Sequence, residues 1–134
     1  MLEAGVFQLL STNAALQALI ADRVFFVKMP AKETLLPAVV FQIITTRTVY
    51  SATGPSGFRF VHVQFDSYAE AYSDAVAISR LLRTALAAFV GPLPDGTLIH
   101  GSIVMNEMDM PYEPGTSGYV FRRLLEIEFQ QIDN

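Results

Sequence analysis

Apolar residues recur along the chain with two spacings, one typical of a helix and one typical of a strand. The first segment, from Leu2 to about Ala21, has helical spacing, and Ser11-Thr12-Asn13 offers cap oxygens in its middle. This predicts an N-terminal helix in two pieces. Helical spacing returns between residues 67 and 90, with acids early, arginines late, and Gly91-Pro92 behind. This second pattern predicts the long helix of the protein.

Alternating or continuously apolar segments predict five strands. They cover residues 24–27, 38–50, 58–68, 97–108 and 119–132. Because strands and helices do not alternate strictly, the order favours an α+β fold. We expect a largely antiparallel sheet of about four to five strands, with the long helix and the N-terminal helix packed on one face.

Two connections between predicted strands are longer than hairpins usually need. Residues 50–59 and 106–118 each contain two glycines, together with one or two prolines, and we expect both to be loops. Loops of this length either are tolerated insertions or contact a partner, and the methionines and tyrosine of the second favour a partner. The candidate contact residues are Tyr50, Arg59, Met108, Met110, Tyr112 and Glu113.

Size and composition narrow the class of protein. At 134 residues and 14.8 kDa, we expect one domain spanning residues 1–134. Apolar residues make up 51% and charged residues 16%, which excludes intrinsic disorder. Such an apolar chain has either a large core or a surface that another subunit covers, and composition leaves both readings open.

Charge and residue content exclude several functions. A net charge of −4 argues against a protein that grips nucleic-acid phosphates, and the lack of cysteine excludes disulfides and thiol chemistry. The N-terminus has no signal-peptide pattern, and the apolar segments are far shorter than a membrane span. We therefore expect no membrane partner.

The residues that could carry chemistry are few and scattered. His62 and His100 are the only histidines, and a metal site would require them to meet beside a carboxylate such as that of Asp66. Glu126 and Glu128 share one face of the last strand, where cross-strand ion pairs or solvation explain them better than acid–base catalysis. We expect no catalytic residue, no metal site and no cofactor, and hence not an enzyme.

Four segments of the chain form a recognisable order. They are Ala15-Leu16-Gln17-Ala18-Leu19-Ile20 followed by Asp22-Arg23-Val24-Phe25, Leu36-Pro37-Ala38-Val39-Val40-Phe41-Gln42-Ile43, Val63-Gln64-Phe65-Asp66-Ser67-Tyr68-Ala69, and Tyr112-Glu113-Pro114-Gly115-Thr116-Ser117-Gly118-Tyr119. In this order the segments resemble the tail completion (head–tail joining) proteins of long-tailed phages and prophages, which are related in role to tail terminators. No motif among them is catalytic, and residues 105–110 have no counterpart in the family pattern.

The resemblance implies a structural protein of the virion tail or neck. Such proteins are small α+β domains that form a ring, commonly a hexamer, which caps the tail tube and docks onto the head connector. The implied partners are other copies of the chain, the tail-tube protein and the connector or stopper, with DNA only passing through the channel. A closed ring needs a head-to-tail interface. We expect that interface to use exposed strand edges and the two predicted loops.

Two other functions remain open on the sequence. One is a small cytoplasmic α+β ligand-binding domain or enzyme, with a pocket between the long helix and the sheet. The other is an oligomeric adaptor unrelated to phage. An enzyme needs no ring, whereas a joining protein assembles or binds tube protein, so sedimentation at several concentrations separates these alternatives.

Overall fold

The computed structural model describes residues 2–21, 23–27, 37–115 and 118–132; at residues 55, 111–115, 118 and 119 it describes the backbone. These residues form a mixed α+β fold, as expected. The helices are α1 (Leu2–Ser11), α2 (Ala14–Ile20) and α3 (Tyr72–Leu86), and the strands are β1 (Val24–Phe26), β2 (Ala38–Ser51), β3 (Gly54–Ala69), β4 (Gly91–Pro92), β5 (Leu98–Gly115) and β6 (Gly118–Ile132).

All six strands belong to one sheet with the order β1-β2-β3-β6-β5-β4. Strands β1 and β2 are parallel, and every other neighbouring pair is antiparallel. The expectation of four to five strands was too low because Gly91-Pro92, which we interpreted only as a helix terminator, forms β4. Gly91 has φ 119°, and Leu93 donates a backbone hydrogen bond to Thr97 over 2.8 Å. The chain thus reverses at once from β4 into β5.

The helices are arranged differently from the expected pair. The N-terminal segment divides into α1 and α2, and the side chain of Asn13 caps α2 by accepting a hydrogen bond from the backbone of Leu16. Helix α3 lies against β3 and β6, α1 contacts β1, and α2 contacts α3. The two pieces predicted for the N-terminal segment are thus observed as separate helices, but α2 packs against α3 and α1 against β1, so that they do not form the expected pair of helices on the sheet.

Helix α3 ends four residues earlier than its apolar spacing predicts, and Ser102 of β5 is the reason. The Ser102 hydroxyl donates to the carbonyl of Leu86 over 2.5 Å and accepts the backbone N–H of Phe89 over 2.7 Å. Ala88 between them has φ 57°, and its N–H bonds the Ser102 carbonyl over 3.1 Å. Residues 87–90, predicted to be the last turn of the helix, are therefore not helical, and the backbone at residues 88 and 89 is bonded to β5.

The core lies between α3 and the central strands β3 and β6. Alternate residues of each strand point toward the helix and are buried, as the sequence pattern predicts. They include Val61, Val63 and Phe65 on β3 and Leu125, Ile127 and Phe129 on β6, which join Ile78, Leu82 and Leu86 of α3. The intervening side chains of β3 and β6 point away from α3, and we call that side the open face.

Both predicted loops are wrong among the described residues, where the strands extend into them; residues 116 and 117 of the second loop lie outside the described residues. Residues 50–59 belong to β2 and β3, which turn at Ala52 and Thr53, and residues 106–115 belong to β5. Register shifts between Val49 and Tyr50 and between Met110 and Glu113 place Gly57 and Pro111 in irregularities within the ladder. These two residues therefore mark bulges in long hairpins instead of loop boundaries.

The two hairpins extend beyond the core at opposite ends of the sheet. Pairing between β3 and β6 runs from Phe58 and Ile132 at one end to Ala69 and Phe121 at the other. Past the first pair, β2 and β3 continue alone over residues 50–57, which we call the β2–β3 arm. Past the second, β5 and β6 continue as the β5–β6 arm, residues 111–115 and 118–120.

Candidate interaction surfaces

The six candidate contact residues divide between the two ends of the sheet. Tyr50 is in the β2–β3 arm, where 71% of its surface is exposed, and the half-buried Arg59 lies nearby on β3. Met108 and Met110 of β5 lie beside Leu124 and Arg122 of β6 on the open face, while Tyr112 and Glu113 belong to the β5–β6 arm. The structure therefore presents two separate groups and not one patch.

The acidic side chains of β5 tie that strand to α3. The Asp109 carboxylate accepts hydrogen bonds from the Tyr72 hydroxyl over 2.8 Å and from Arg123 of β6 over 2.7 Å. The bond from Tyr72, followed by that from Arg123, holds the pKa of Asp109 below its usual range against the effect of desolvation. The same carboxylate raises the pKa of Tyr72 by favouring the neutral phenol.

Glu107, two residues before Asp109 on β5, belongs to the same cluster because it also binds Arg123. Its carboxylate bonds Arg83 of α3 over 3.0 Å and Arg123 over 3.2 Å, and it accepts the Ser79 hydroxyl over 3.3 Å. These residues come from three elements that are far apart along the chain, so sequence spacing could not reveal the cluster. It fixes the base of the β5–β6 arm against the helix.

A second polar group crosses the open face of β3 and β6. Arg122 binds the buried carboxylate of Asp66 through two hydrogen bonds of 3.1 Å, and Gln64 donates to the same carboxylate over 2.9 Å. His62 bonds Glu126 over 3.0 Å, which confirms a cross-strand partner for that acid. The group is internally paired, as a structural network is.

The two histidines do not form a site. The ring of His100 packs against Phe58 with 5.6 Å between centroids, whereas His62 is engaged by Glu126. Within the ranges that the structure describes, no three histidine, aspartate or glutamate side chains are grouped so as to hold a metal ion. No described helix is long and apolar enough to cross a membrane.

Two strand segments have no strand neighbour on their outer side among the described residues. One is residues 42–49 of β2, beyond the short pairing with β1; we call it the β2 edge. The other is residues 103–110 of β5, beyond the pairing with β4 and the bond from Ala88 to Ser102; we call it the β5 edge. Both edges carry exposed apolar side chains, and among these Ile44, Ile103 and Met105 are not distinguished by the sequence pattern.

Comparison with known proteins finds a family match and similar solved structures. Residues 4–123 match the family model of the tail completion protein gp17. A chain in the native virion of a gene transfer agent (GTA) particle has a similar fold, with a TM-score of 0.72 and 17% identity over 97% of this chain and 94% of that one. No curated protein matches the sequence significantly. Since the family model covers most of the chain, this protein belongs to the tail completion protein gp17 family and is a structural protein of the virion tail or neck, not an enzyme.

Proposed function

We propose that the protein completes the tail by forming a ring, a hexamer of this chain, that caps the tail tube and joins it to the head. Membership in the family already assigns it a structural role in tail completion and sets aside the enzyme alternative. The observation that carries the ring is the placement of the two open edges on opposite sides of the sheet. A closed ring repeats one head-to-tail contact between two different surfaces, and this fold offers such a pair.

The arms suit contacts above and below such a ring. They project from opposite ends of the central strands, so that one faces the tail-tube protein and the other the head connector or stopper. Tyr50 on one arm and Tyr112 and Glu113 on the other supply the contacts, with Arg59, Met108 and Met110 next to them. Tyrosine and methionine are suitable because they bury large areas in adaptable contacts.

A DNA channel follows if the helices face outward and the open face lines the ring. The open face carries Asp66, Glu126 and Glu128 with Arg47 and Arg122. Together with the net charge of −4, this leaves no excess of positive charge to hold phosphates, so DNA passes through without being gripped. In this arrangement the channel wall is the sheet.

Assembly of particles tests the proposal. Cells that make the particle without this protein should accumulate separate heads and tails in electron micrographs, and the wild-type chain supplied in trans should restore joining. Tyr50→Ala should restore it poorly, because it removes the most exposed aromatic ring of the β2–β3 arm. Val90→Ala, a change at a comparably exposed residue outside the arms, should restore it fully. Normal joining in the complete absence of the protein would refute the proposal.

A further inference from the structure

We propose that neighbouring copies join by pairing the β2 edge of one copy with the β5 edge of the next, in antiparallel orientation, so that their sheets become continuous. This inference rests on the proposed ring and names the contact that builds it. The occupant of each edge is therefore a second copy of this chain.

The two edges match in length and have defined limits. Each spans eight residues, 42–49 and 103–110. The β2 edge is limited by β1 at one end and by the register shift after Val49 at the other. The β5 edge is limited by the bond from Ala88 to Ser102 and by Pro111, which has no N–H to donate. Neither edge contains proline or lysine, and each contains one register shift, at Ile44 and at Met105.

The strand directions determine the orientation of the pair. Within one copy, β2 and β5 are antiparallel, because three antiparallel steps separate them through β3 and β6. A rotation about an axis running broadly along the strands preserves their sense. The β5 edge of one copy therefore meets the β2 edge of the next in antiparallel orientation, and every further copy repeats the same step.

Full pairing requires a shift along the strands, and its size suits a closed barrel. The middle of the β2 edge pairs with Phe60 and Val61 of β3. The middle of the β5 edge is aligned, through its pairing with β6, with Gln64 and Phe65 of β3. The two edges are therefore offset by about four residues, which is about 13 Å measured along the strands. The four long strands of one copy together are about 19 Å wide, measured perpendicular to the strands. The ratio corresponds to a strand tilt of about 35°, within the usual range for barrels.

The side chains that meet at this register are compatible. Arg47 of the β2 edge lies on the open face, whereas Glu107 and Asp109 of the β5 edge lie on the helix side and are paired within their own copy, so no like charges meet across the contact. In the shifted register Thr45 lies beside Met108, and Gln42 lies beside Met110, with all four on the open face. The exposed side chains of Ile44 and Ile103 also lie along the contact, where a neighbour can cover them.

Cysteine cross-linking tests the contact directly, because the natural chain has no cysteine. Thr45→Cys protein and Met108→Cys protein, mixed together with tail-tube protein and oxidised, should form a disulfide-linked dimer. Neither variant alone should form one. The double variant should give a ladder of linked oligomers that ends at the closed ring. Ala15→Cys on the exposed surface of α2, mixed with Met108→Cys, serves as the control and should not cross-link.

The outcomes separate this inference from the proposed function. Both substituted side chains are exposed, so melting curves should match the wild type and show that the variants fold. Rings seen by sedimentation, with no disulfide formed between the Thr45→Cys and Met108→Cys proteins, would overturn the edge contact and leave the ring intact. Failure of the wild-type chain to form rings with tube protein would overturn both.

Discussion

Ser102→Ala should loosen the junction between α3 and β5 at a cost that the structure allows us to estimate. The hydroxyl of Ser102 serves two backbone groups at the end of the helix, the Leu86 carbonyl and the Phe89 N–H. Ser102 is buried, so water can replace these bonds only in part. An unmade hydrogen bond to a buried backbone group costs about 1–3 kcal/mol. Because Phe89 is half-buried, water can partly replace the bond to its N–H, and we expect the free energy of unfolding to fall by about 2–4 kcal/mol in total.

Urea denaturation followed by circular dichroism measures this loss. Ser56→Ala is the matched control, because its hydroxyl donates to the Val49 carbonyl in an exposed hairpin, where water can take its place. The control should stay within about 0.5 kcal/mol of the wild type. Hydrogen exchange should also accelerate at the amides of residues 88 and 89 in Ser102→Ala. A stability equal to that of the control, with unchanged exchange at these amides, would refute the role assigned to Ser102.

Further predictions concern the core, the acidic cluster and the arms. Phe129→Ala, at a fully buried position, should lower the free energy of unfolding by about 3–5 kcal/mol in the same urea assay. The lowered pKa of Asp109 stabilises the fold at pH values above the ordinary carboxyl range, and this contribution is lost as pH falls through the lowered pKa. Because the bond from Tyr72 is the main cause, Tyr72→Phe should move the Asp109 midpoint upward in an NMR titration. An unmoved midpoint would contradict the assigned cause. The raised pKa of Tyr72 gives stability that is lost only when pH rises through that pKa, so Tyr72→Phe should also unfold later than the wild type in strong alkali. Tyr112→Ala should weaken assembly in sedimentation with little change in melting temperature, and a matching fall in melting temperature would instead indicate a structural role.

Local patterns predicted the elements that depend on local chemistry. Alternation along β3 and β6 identified the side chains that face the core, and the Asn13 cap of α2 follows from a side chain bonding its own neighbouring backbone. The family resemblance rested on the order of such segments and is confirmed by the family match.

What the sequence could not show depends on partners that are distant along the chain. Ser102, which ends α3, lies on strand β5. Arg123 of β6 pairs with Glu107 and Asp109 of β5, and Asp109 in turn accepts a hydrogen bond from Tyr72 of α3. The glycines at 54 and 57 are typical of a loop when considered alone, but Gly54 has φ 127° and Gly57 has φ 82° within a hairpin whose ladder continues around them. Position along a strand decides between a loop and a bulge, and that position is set by the facing strand.

The central pairing of β3 with β6 also determines how the chain can fold. Each hairpin closes only a short loop, whereas His62 and Glu126 are separated by 64 residues and by the whole of α3. Closing that long loop costs chain entropy before any core contact compensates it, so the docking of the two hairpins across α3 should set the folding rate. Substitutions in the β3–β6 ladder should slow refolding, whereas substitutions in either arm should leave its rate unchanged.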